Sequence, residues 1–521
     1  MPRSIRRTSR HQRSRRQSAC AGACRAPHRS HRLSADTSCV HPIEAADSLL
    51  GRAVERSMAA HHRRRLRRLG RLEALAPRDD GSPWSREFPP PRDGCAIDVL
   101  IDGADVLAAI AESIRGARRS VRIAGWHVAP HFALERAEPP TLLRELLALA
   151  VARGVDVRVL LWAGAPFRAF TPARADVRAD ARDLTRGTGV RVAVDDRERL
   201  LHCHHEKAVV IDDEVAFVGG VDLTDLGGDR WDTARHPARG RLGWHDAGSK
   251  LRGPIVADVA EHFDLRWTEV TGEKLPAVST PVSAGDTTIQ LLRTVPEHVY
   301  DRLRNGAFGI LEAYMRALGT ARELVYLESQ FFWLPEIVAV LSEKLRSPPS
   351  DRLRIVVVLP SRPNNGEEDT RGMLAYLADA DGGRGRFLAT TIDAMTGSTV
   401  DQVYVHAKIG IVDDRWLTIG SANLNAHSFF NDTELNVQVC DRELARQTRL
   451  RLWSEHLQLP QDQVAGDPTE VVDRHWIPIA RRERERHATG RPREHRLRAL
   501  APTSRKLARL LGPMDAIVVD A

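Results

Sequence analysis

Apolar positions along the chain follow two alternating periods after the turn-forming segment Phe88-Pro89-Pro90-Pro91. Segments with apolar residues at helical spacing alternate with short, almost wholly apolar segments that are typical of buried strands. The pattern predicts helices over Ala104–Arg119 and Leu142–Arg153, and strands over Val121–Trp126, Val155–Trp162, Lys207–Ile211 and Val215–Val218. This alternation predicts an α/β fold around a largely buried sheet.

The same order of elements recurs in the second part of the chain. Helices are predicted over Phe308–Arg322 and Glu336–Leu345, and strands over Leu324–Leu327, Leu353–Leu359, Lys408–Val412 and Trp416–Ile419. Trp126 precedes His205 by 79 residues, and Glu328 precedes His406 by 78 residues. Such matched spacing indicates an internal repeat, so we expect two tandem α/β sandwich halves related by a pseudo-twofold axis.

Changes in composition suggest where these halves begin and end. Residues 1–94 form a basic arm that we expect to be disordered, and residues 95–270 form the first half. Residues 271–286, rich in Pro, Gly, Ser and Thr, are the predicted linker. Residues 287–470 form the second half, and residues 471–521 a basic C-terminal extension.

Charge is spread unevenly over the 521 residues. The net charge of +8 combines +12 in residues 1–80, +6 in residues 471–521 and therefore −10 in residues 81–470. An acidic body argues against a long groove that follows a nucleic-acid backbone. No run of 18 apolar residues is present, which excludes a membrane span on sequence grounds, and six cysteines are too few for a disulfide scaffold.

Both halves contain the pattern H-x-K-x-x-x-x-D. It runs from His205 to Asp212 and again from His406 to Asp413, and a glycine follows seven residues after each Asp. The two glycine segments are Gly219-Gly220-Val221-Asp222 and Gly420-Ser421-Ala422-Asn423. Because the whole chain has only six lysines, two such patterns at equivalent points of a repeat indicate a function and not a coincidence.

The spacing of the pattern suggests a binding site for an anion. Residues i and i+2 of an extended segment share a face, so His205 and Lys207 point the same way, as do His406 and Lys408. If the halves pack about a twofold axis, two histidines and two lysines converge in one cleft. Two facing lysines are costly unless an anion lies between them, and a phosphate group is the natural candidate.

Phosphoryl chemistry then follows from these residue types. One imidazole attacks phosphorus, and the other protonates the leaving alcohol and then activates water or a second alcohol. Lys207 and Lys408 neutralise the phosphoryl oxygens, with Ser421 and Asn423 as hydrogen-bond donors, and the chemistry needs no metal or cofactor. The sequence alone leaves open which histidine attacks.

Each histidine also needs a carboxylate that fixes its tautomer. Asp232 and Glu434 follow the two glycine segments at nearly equal distances and are the symmetric candidates, with Asp432 a weaker one. Asp212 and Asp413 complete the catalytic set as the third members of the pattern. Their place at strand ends also favours a role as turn or ion-pair partners.

These residues resemble the phospholipase D superfamily, whose signature is a duplicated HKD motif. The resemblance covers about residues 95–480 and includes Tyr326–Phe332, Arg230–Thr233 and Trp244–Asp246, with Asp222 where the commoner pattern has Asn. It implies that His205 is the nucleophile, that His406 is the general acid and base, and that Glu434 orients His205 while Asp232 orients His406. The residues expected to contact substrate are Gly220, Asp222, Ser421, Asn423, Glu328, Gln330 and Trp126.

The resemblance implies a phosphodiesterase or transphosphatidylase that acts on glycerophospholipids through a phosphohistidine. Its expected partners are a phospholipid at a membrane surface and water or an alcohol as acceptor, with no obligate nucleic acid and no second copy of the chain. We expect a cytoplasmic protein with peripheral membrane contact. Three alternatives stay open: a cardiolipin-synthase-like phosphatidyl transferase, an HKD-type nuclease and a non-catalytic lipid-binding protein.

Overall fold

The computed structural model describes residues 42–77, 80–166, 170–199, 201–364 and 366–500. Within these residues the helices are α1 Pro42–Leu69, α2 Gly103–Gly116, α3 Leu143–Ala152, α4 Arg174–Thr185, α5 Ile255–Thr271, α6 Gly309–Thr320, α7 Pro335–Arg346, α8 Glu367–Asp381, α9 Ala426–Phe430, α10 Arg442–Leu457, α11 Gln461–Val464, α12 Pro468–Val471 and α13 Ile477–Ala488.

Strands alternate with these helices. They are β1 Arg92–Ile101, β2 Ser120–Gly125, β3 Ala133–Glu135, β4 Thr141–Leu142, β5 Asp156–Trp162, β6 Arg191–Asp195, β7 Ala208–Ile211, β8 Val215–Gly219, β9 Gly243–His245, β10 Ala247–Arg252, β11 Thr287–Val295, β12 Ala307–Phe308, β13 Leu324–Glu328, β14 Arg354–Val358, β15 Phe387–Thr396, β16 Thr399–Val405, β17 Ile409–Val412, β18 Trp416–Gly420, β19 Glu434–Val439 and β20 Leu497–Ala499.

The strand order is the same in the two halves of the sheet. The first half runs β1-β10-β8-β7-β2-β5-β6, and the second runs β11-β19-β18-β17-β13-β14-β15. In both halves the first four pairings are antiparallel and the last two are parallel. The structure therefore confirms the predicted α/β fold with an internal duplication.

The two half-sheets join through equivalent edge strands. β1 pairs antiparallel with β11, where Arg92 lies opposite Ile289 and Cys95 opposite Thr287. An antiparallel pairing of equivalent strands is what a pseudo-twofold axis requires, because the axis reverses the direction of the chain. β20, from the C-terminal region, pairs with β15 at the other edge of the second half.

Helices cover both faces of each half, as the apolar strand sequences require. In the first half α2 and α3 pack on one face and α5 on the other. In the second half α6, α7 and α8 cover one face, while α10 and α13 cover the other. Local signals set the helix ends: Pro335 begins α7, Asp441 caps α10 by accepting from the Leu444 N–H, and Gly272 ends α5 in the left-handed region.

The predicted elements match the observed ones to within a few residues. For example, the predicted strand Val155–Trp162 is β5, and the predicted helix Glu336–Leu345 lies within α7. α5 ends at Thr271 and β11 begins at Thr287, so the predicted linker coincides with a stretch that has no helix or strand. The domain boundaries themselves stay a prediction.

The prediction of a disordered arm over residues 1–94 is wrong for its described part. α1 packs against the second half, where Leu66 joins the core and Arg65 forms a bidentate ion pair with Glu297. His62 contacts Glu336 at 2.7 Å. The composition shows that the segment is basic, but it does not show that side chains on one face of the helix form contacts with carboxylates of the second half. Residues 1–41 lie outside the described part of the chain.

Candidate active site

The two H-x-K segments are extended and lie directly before equivalent strands, β7 and β17. Alternation along the first segment works as predicted: His205 and Lys207 face the cleft, whereas Glu206 points into the core. There Glu206 accepts hydrogen bonds from Arg266 at 2.5 Å and from His262 at 2.8 Å. The segment is therefore held from behind by a buried ion pair.

Each histidine is held by a backbone contact with the other half. The His205 N–H donates to the Thr433 carbonyl at 2.9 Å, and the His406 N–H donates to the His245 carbonyl at 2.7 Å. The second contact continues a parallel pairing of β16 with β9. These two equivalent backbone hydrogen bonds between the halves bring the imidazole rings of His205 and His406 into an edge-to-face arrangement, with their centroids 6.4 Å apart.

The residue after each of these carbonyls is the carboxylate that contacts the histidine ring. Glu434 accepts from His205 Nδ1 at 3.0 Å, and Asp246 accepts from His406 Nδ1 at 2.6 Å. Both carboxylates are buried. Because Nδ1 is engaged in both rings, Nε2 is the atom that each histidine offers to a substrate.

The predicted partner of His406 is wrong. Asp232 does not contact His406; it contacts His236 Nδ1 at 3.1 Å and forms an ion pair with Arg239. Asp246 is the equivalent of Glu434 because Asp246 directly precedes β10, and Glu434 is the first residue of the equivalent strand, β19. The signal was present in Trp244-His245-Asp246, which directly precedes β10, but the nearly equal spacing after the two glycine segments pointed to Asp232.

Two lysines complete the cationic surroundings. Lys207 Nζ lies 3.3 Å from Asp222 and donates to the His205 carbonyl at 2.7 Å. Lys408 makes the equivalent bond to the His406 carbonyl. Asp222 Oδ1 and Asn423 Oδ1 are buried and have no hydrogen-bond partner in the described structure. Buried polar atoms of this kind commonly mark a place where a ligand or water binds.

The pKa values differ between the two histidine–carboxylate pairs. Burial raises the pKa of Asp246 to about 6. Burial, together with the nearby charges of Lys408 and Arg230, lowers the pKa of His406 well below its usual value. Burial alone would raise the pKa of Glu434, but His205, Lys207 and the Ser421 hydroxyl together hold it below its usual value. The pKa of Lys408 falls to about 7, chiefly through burial.

Besides Asp246, three residues of the site were not among the predicted site residues: Trp244, Tyr404 and Arg230. The Trp244 ring lies 4.5 Å from the His406 ring and 4.8 Å from the Tyr404 ring, measured between centroids. The buried Arg230 guanidinium stacks on Trp244, 3.2 Å from its ring centroid. Burial lowers the pKa of Arg230 to about 10. Trp244 and Arg230 thus form an aromatic and cationic wall beside His406.

Asp212 and Asp413 lie at the opposite ends of β7 and β17 from the histidines, and their assignment to the catalytic set is wrong. Asp212 accepts from the backbone N–H groups of Arg118, Arg119 and Ser120 at 2.7–2.8 Å. Asp413 makes the equivalent three bonds, each 2.8 Å, to residues 322–324. Both have positive φ, so they are turn residues that cap the start of a neighbouring strand.

Glu328 does not contact the cleft either, contrary to the prediction. It lies behind the site, where it contacts His245 Nε2 at 2.8 Å and His456 Nε2 at 3.0 Å and accepts from the Tyr326 hydroxyl. Gln330, two residues further, faces the cleft and accepts from Asn423 Nδ2 at 3.2 Å. The chain leaves the strand after Glu328, so strand alternation no longer predicts the side-chain direction.

The remaining predicted contacts occupy different positions. Ser421 donates to Glu434, so it supports the carboxylate instead of facing a phosphate. Gly220 is the equivalent position, where a Cβ would lie 2.2 Å from Asp246 Oδ1. The Trp126 ring stacks on the Trp162 ring, with 6.1 Å between the two centroids. Lys207 Nζ lies 5.9 Å from the centroid of the Trp126 ring. Trp126 therefore borders the site from the first half.

Comparisons with known proteins agree with this geometry. The family "Cardiolipin synthase, PLD-like domain" matches residues 110–230 and 315–454. The first range contains the motif from His205 to Asp212, and the second contains the motif from His406 to Asp413. Phospholipase D A of Dictyostelium discoideum is 27% identical over 73% of this chain and 37% of its own length. Phospholipase D2 of Bos taurus is 25% identical over 68% of this chain and 50% of its own length.

The solved structure of a phosphatidylserine synthase of Haemophilus influenzae Rd KW20 matches 69% of this chain and 86% of its own chain, with 13% identity and a TM-score of 0.48.

This chain spans about half or less of the length of the two phospholipases D above. The family match covers just over half of the 521 residues and falls on both halves of the duplicated sheet. The chain belongs to the phospholipase D superfamily.

Proposed function

We propose that this protein is a phosphodiesterase and transphosphatidylase that acts on glycerophospholipids through a phosphohistidine. The observation that carries the proposal is the pair of buried imidazoles, 6.4 Å apart, each with Nδ1 on a carboxylate of the opposite half. This arrangement leaves the Nε2 atom of each imidazole away from its carboxylate, with Lys207 and Lys408 beside the two rings. A binding protein would need the cations but not two oriented imidazoles.

The chemistry proceeds in two displacements at phosphorus. His205 Nε2 attacks the phosphodiester and forms a P–N bond, while the bond to the leaving alcohol breaks and His406 Nε2–H protonates that alcohol. His406 then takes a proton from water or a second alcohol, whose oxygen attacks phosphorus and releases His205. Glu434 stabilises the charge that develops on His205, because its Nδ1–H donates to this carboxylate.

Charge neutralisation links substrate binding to the protonation of His406. Burial and the charges of Lys408 and Arg230 oppose a positive charge on His406. A phosphodiester anion between them offsets those charges and favours the imidazolium that the leaving alcohol requires. Asp246 supports the same imidazolium through Nδ1. The proposal therefore places the acid at His406 and the nucleophile at His205.

A lipid substrate is supported by the names of the similar proteins and by the surroundings of the site. Both similar eukaryotic proteins carry the name phospholipase D. Aromatic side chains, Trp126 and Trp244, border the site, and the body of the chain is acidic, which suits a single headgroup phosphate better than a polynucleotide. The acceptor is water or a small alcohol, and both halves of the site come from one chain, so a monomer suffices.

Contact with a membrane surface is part of the same proposal. In the described residues, no helix has both the length and the apolar character needed to cross a bilayer. The exposed residues at the end of α1 include Arg63, Arg64, Arg67 and Arg68. Such a basic surface suits anionic headgroups, as expected for a peripheral protein of the cytoplasm.

The proposal is tested with purified full-length protein, phosphatidylcholine or phosphatidylglycerol vesicles and added ethanol. The expected product is phosphatidylethanol, formed by the wild type and absent with His205→Ala and with His406→Ala. Transfer from phosphatidylglycerol to a second phosphatidylglycerol, without hydrolysis, would instead favour the cardiolipin-synthase-like alternative. Histidine-dependent cleavage of single-stranded DNA without any lipid product would contradict a lipid substrate and keep the mechanism.

A further inference from the structure

A second cluster of titratable side chains lies directly behind His406. It contains Asp102, His236, His245 and Glu455, which offer one oxygen or nitrogen each within 4.8 Å of one another. The two histidines are fully buried, Asp102 is 1% exposed, and the Glu455 side chain is 4% exposed. None of the four contacts the space between His205 and His406, so the reaction does not account for them.

The four inner atoms have the separations of a metal coordination shell. His245 Nδ1 lies 2.9 Å from Asp102 and 3.3 Å from Glu455 Oε1, and His236 Nε2 lies 3.0 Å from Glu455 Oε1 and 3.7 Å from Asp102 Oδ2. Ligands of a tetrahedral ion with bonds of 2.0–2.2 Å are about 3.3–3.6 Å apart. The observed distances bracket that range.

The outer nitrogens of the two histidines carry the second mark of a metal site. His236 Nδ1 contacts Asp232 at 3.1 Å, and His245 Nε2 contacts Glu328 at 2.8 Å. A histidine that binds a metal through one nitrogen usually donates its other N–H to a carboxylate, which fixes the tautomer and raises the basicity of the ligand. Both histidines of the cluster have this arrangement.

An unsatisfied oxygen points to the same place. Asp102 Oδ2 is buried and has no hydrogen-bond partner in the described structure. The backbone of Asp102 has a φ of 66°, a conformation that residues other than glycine rarely adopt. A carboxylate oxygen left bare in the core is costly unless a proton or a cation is beside it.

We propose that Asp102, His236, His245 and Glu455 bind one structural divalent transition-metal ion, most suitably Zn²⁺. Two neutral imidazoles and two carboxylates form a neutral complex with a divalent ion and satisfy a tetrahedral geometry. With no position open for water, the ion is structural and takes no part in the phosphoryl chemistry.

The site has a consequence for the catalytic cleft. His245 is followed by Asp246, which orients His406, and the His245 carbonyl accepts from the backbone of His406 and Ala407. An ion that fixes His245 therefore holds the segment that carries Asp246. Asp102 directly follows β1 and Glu455 lies in α10, so the same ion would tie the end of an edge strand of the first half to a helix of the second.

The ion-free alternative makes a different prediction. Each histidine has a carboxylate near both nitrogens, so without a metal each must be an imidazolium cation that donates twice or must accept from a protonated carboxyl group. The protein would then contain no ion at this place, and zinc would not change its stability. Metal content and thermal stability therefore separate the two.

The test uses untagged full-length protein, without chelator, analysed by inductively coupled plasma mass spectrometry and zinc K-edge X-ray absorption. We expect about one zinc per chain with a coordination shell of nitrogen and oxygen only. The absence of sulfur from the coordination shell matters because Cys20, Cys24 and Cys39, in residues 1–41, are alternative zinc ligands. Less than about a tenth of an ion per chain, with no binding and no rise in melting temperature when Zn²⁺ is added, would overturn the proposal, as would a sulfur shell.

Variants locate the ion. His236→Gln should lose the zinc, and the matched control His262→Gln, another buried histidine that contacts a carboxylate, should keep it. Removal of the ion from the wild type with a strong chelator should lower the melting temperature by several degrees, and added Zn²⁺ should restore it. Retention of full zinc by a folded His236→Gln protein would contradict the assignment; if that variant does not fold, the absorption spectrum of the wild type decides alone.

Discussion

The two halves of the molecule share a strand order and a backbone contact at the histidine, but they differ in how they supply the carboxylate. The segment from Gly219 to Asp246 is thirteen residues longer than the equivalent segment from Gly420 to Glu434. The longer segment contains Arg230, His236 and β9, which the second half lacks. Equivalence in this fold is therefore set by position on the sheet, because backbone pairing places the side chains whereas the intervening loop is free to lengthen.

The two histidine–carboxylate pairs also differ in the pKa shifts of their carboxylates. Glu434 is stabilised as an anion beside His205, whereas burial raises the pKa of Asp246 beside His406. Arg230 and Lys408 add positive charge on the His406 side. The two histidines of a nearly symmetric pair thus have unequal electrostatic surroundings, which suits the two different roles proposed for them. The following changes test that inequality.

Replacement of the two histidines should have the largest effect. We expect His205→Ala and His406→Ala each to lower the rate of phosphatidyl transfer by about 10³-fold or more, because each removes a participant in both displacements. With a p-nitrophenyl phosphodiester, whose leaving group needs no acid, His406→Ala should retain a burst of p-nitrophenol and His205→Ala should not. A burst from His205→Ala alone would exchange the two roles.

Neutralising the carboxylates should have the next largest effect. Asp246→Asn should lower kcat by about 10²-fold or more, since the amide cannot stabilise the His406 imidazolium, and Glu434→Gln should act similarly on His205. Asp232→Asn is the matched control and should leave a much larger share of the activity, measured on protein of confirmed folding. Equal losses from Asp232→Asn and Asp246→Asn would undermine the assignment of Asp246.

A single methyl group at Gly220 should disturb the same carboxylate. The added Cβ of Gly220→Ala would lie 2.2 Å from Asp246 Oδ1, so the carboxylate must move away from its contact with His406. We expect kcat to fall about tenfold with little change in KM. Gly116→Ala, where a Cβ meets no atom within 4 Å, is the control and should match the wild type in steady-state kinetics.

The pH dependence should report the His406 side of the site. Because the pKa of Asp246 is raised to about 6, this carboxyl takes up a proton as the pH falls through 6 and then no longer supports an imidazolium at His406. Activity should therefore rise with pH through this range, and Asp246→Asn should lack that limb. The raised pKa also means that the ionised carboxylate disfavours the folded state above pH 6, so folded Asp246→Asn protein should be at least as stable as the wild type at pH 8.

The two motif aspartates should affect stability and leave the reaction almost unchanged. Asp413→Ala removes the acceptor of three backbone N–H groups, which should cost about 1–3 kcal/mol of unfolding free energy in urea denaturation. Its kcat below the unfolding transition should remain within about twofold of the wild type. A loss of activity in a stably folded variant would return Asp413 to the catalytic set.

Much of the fold was readable because apolar periodicity reports burial directly. β2 and β5 are runs of buried residues, and the repeat of the H-x-K pattern located both histidines and lysines. Glu434 was also identified, since a short loop keeps its spacing from Asn423 regular.

What the sequence did not predict depended on contacts between the halves. Asp246 reaches His406 only because β9 of one half pairs with β16 of the other. Trp244 and Arg230 enter the site through the same pairing, and Glu328 turns away because it is drawn to buried histidines behind the site. No local pattern encodes a neighbour that is more than a hundred residues away.

The covalent step is the central claim, and mass spectrometry of protein quenched with denaturant at alkaline pH during the reaction tests it most directly. A phosphodiester with a p-nitrophenyl leaving group is mixed with His406→Ala, the reaction is stopped, and the modified peptide is sequenced under conditions that preserve phosphoramidates. The account predicts the substrate's phosphoryl group on His205 and none on the matched His205→Ala protein. Turnover by the wild type with no modified histidine at any quench time, or modification of His406 in the wild type, would contradict it.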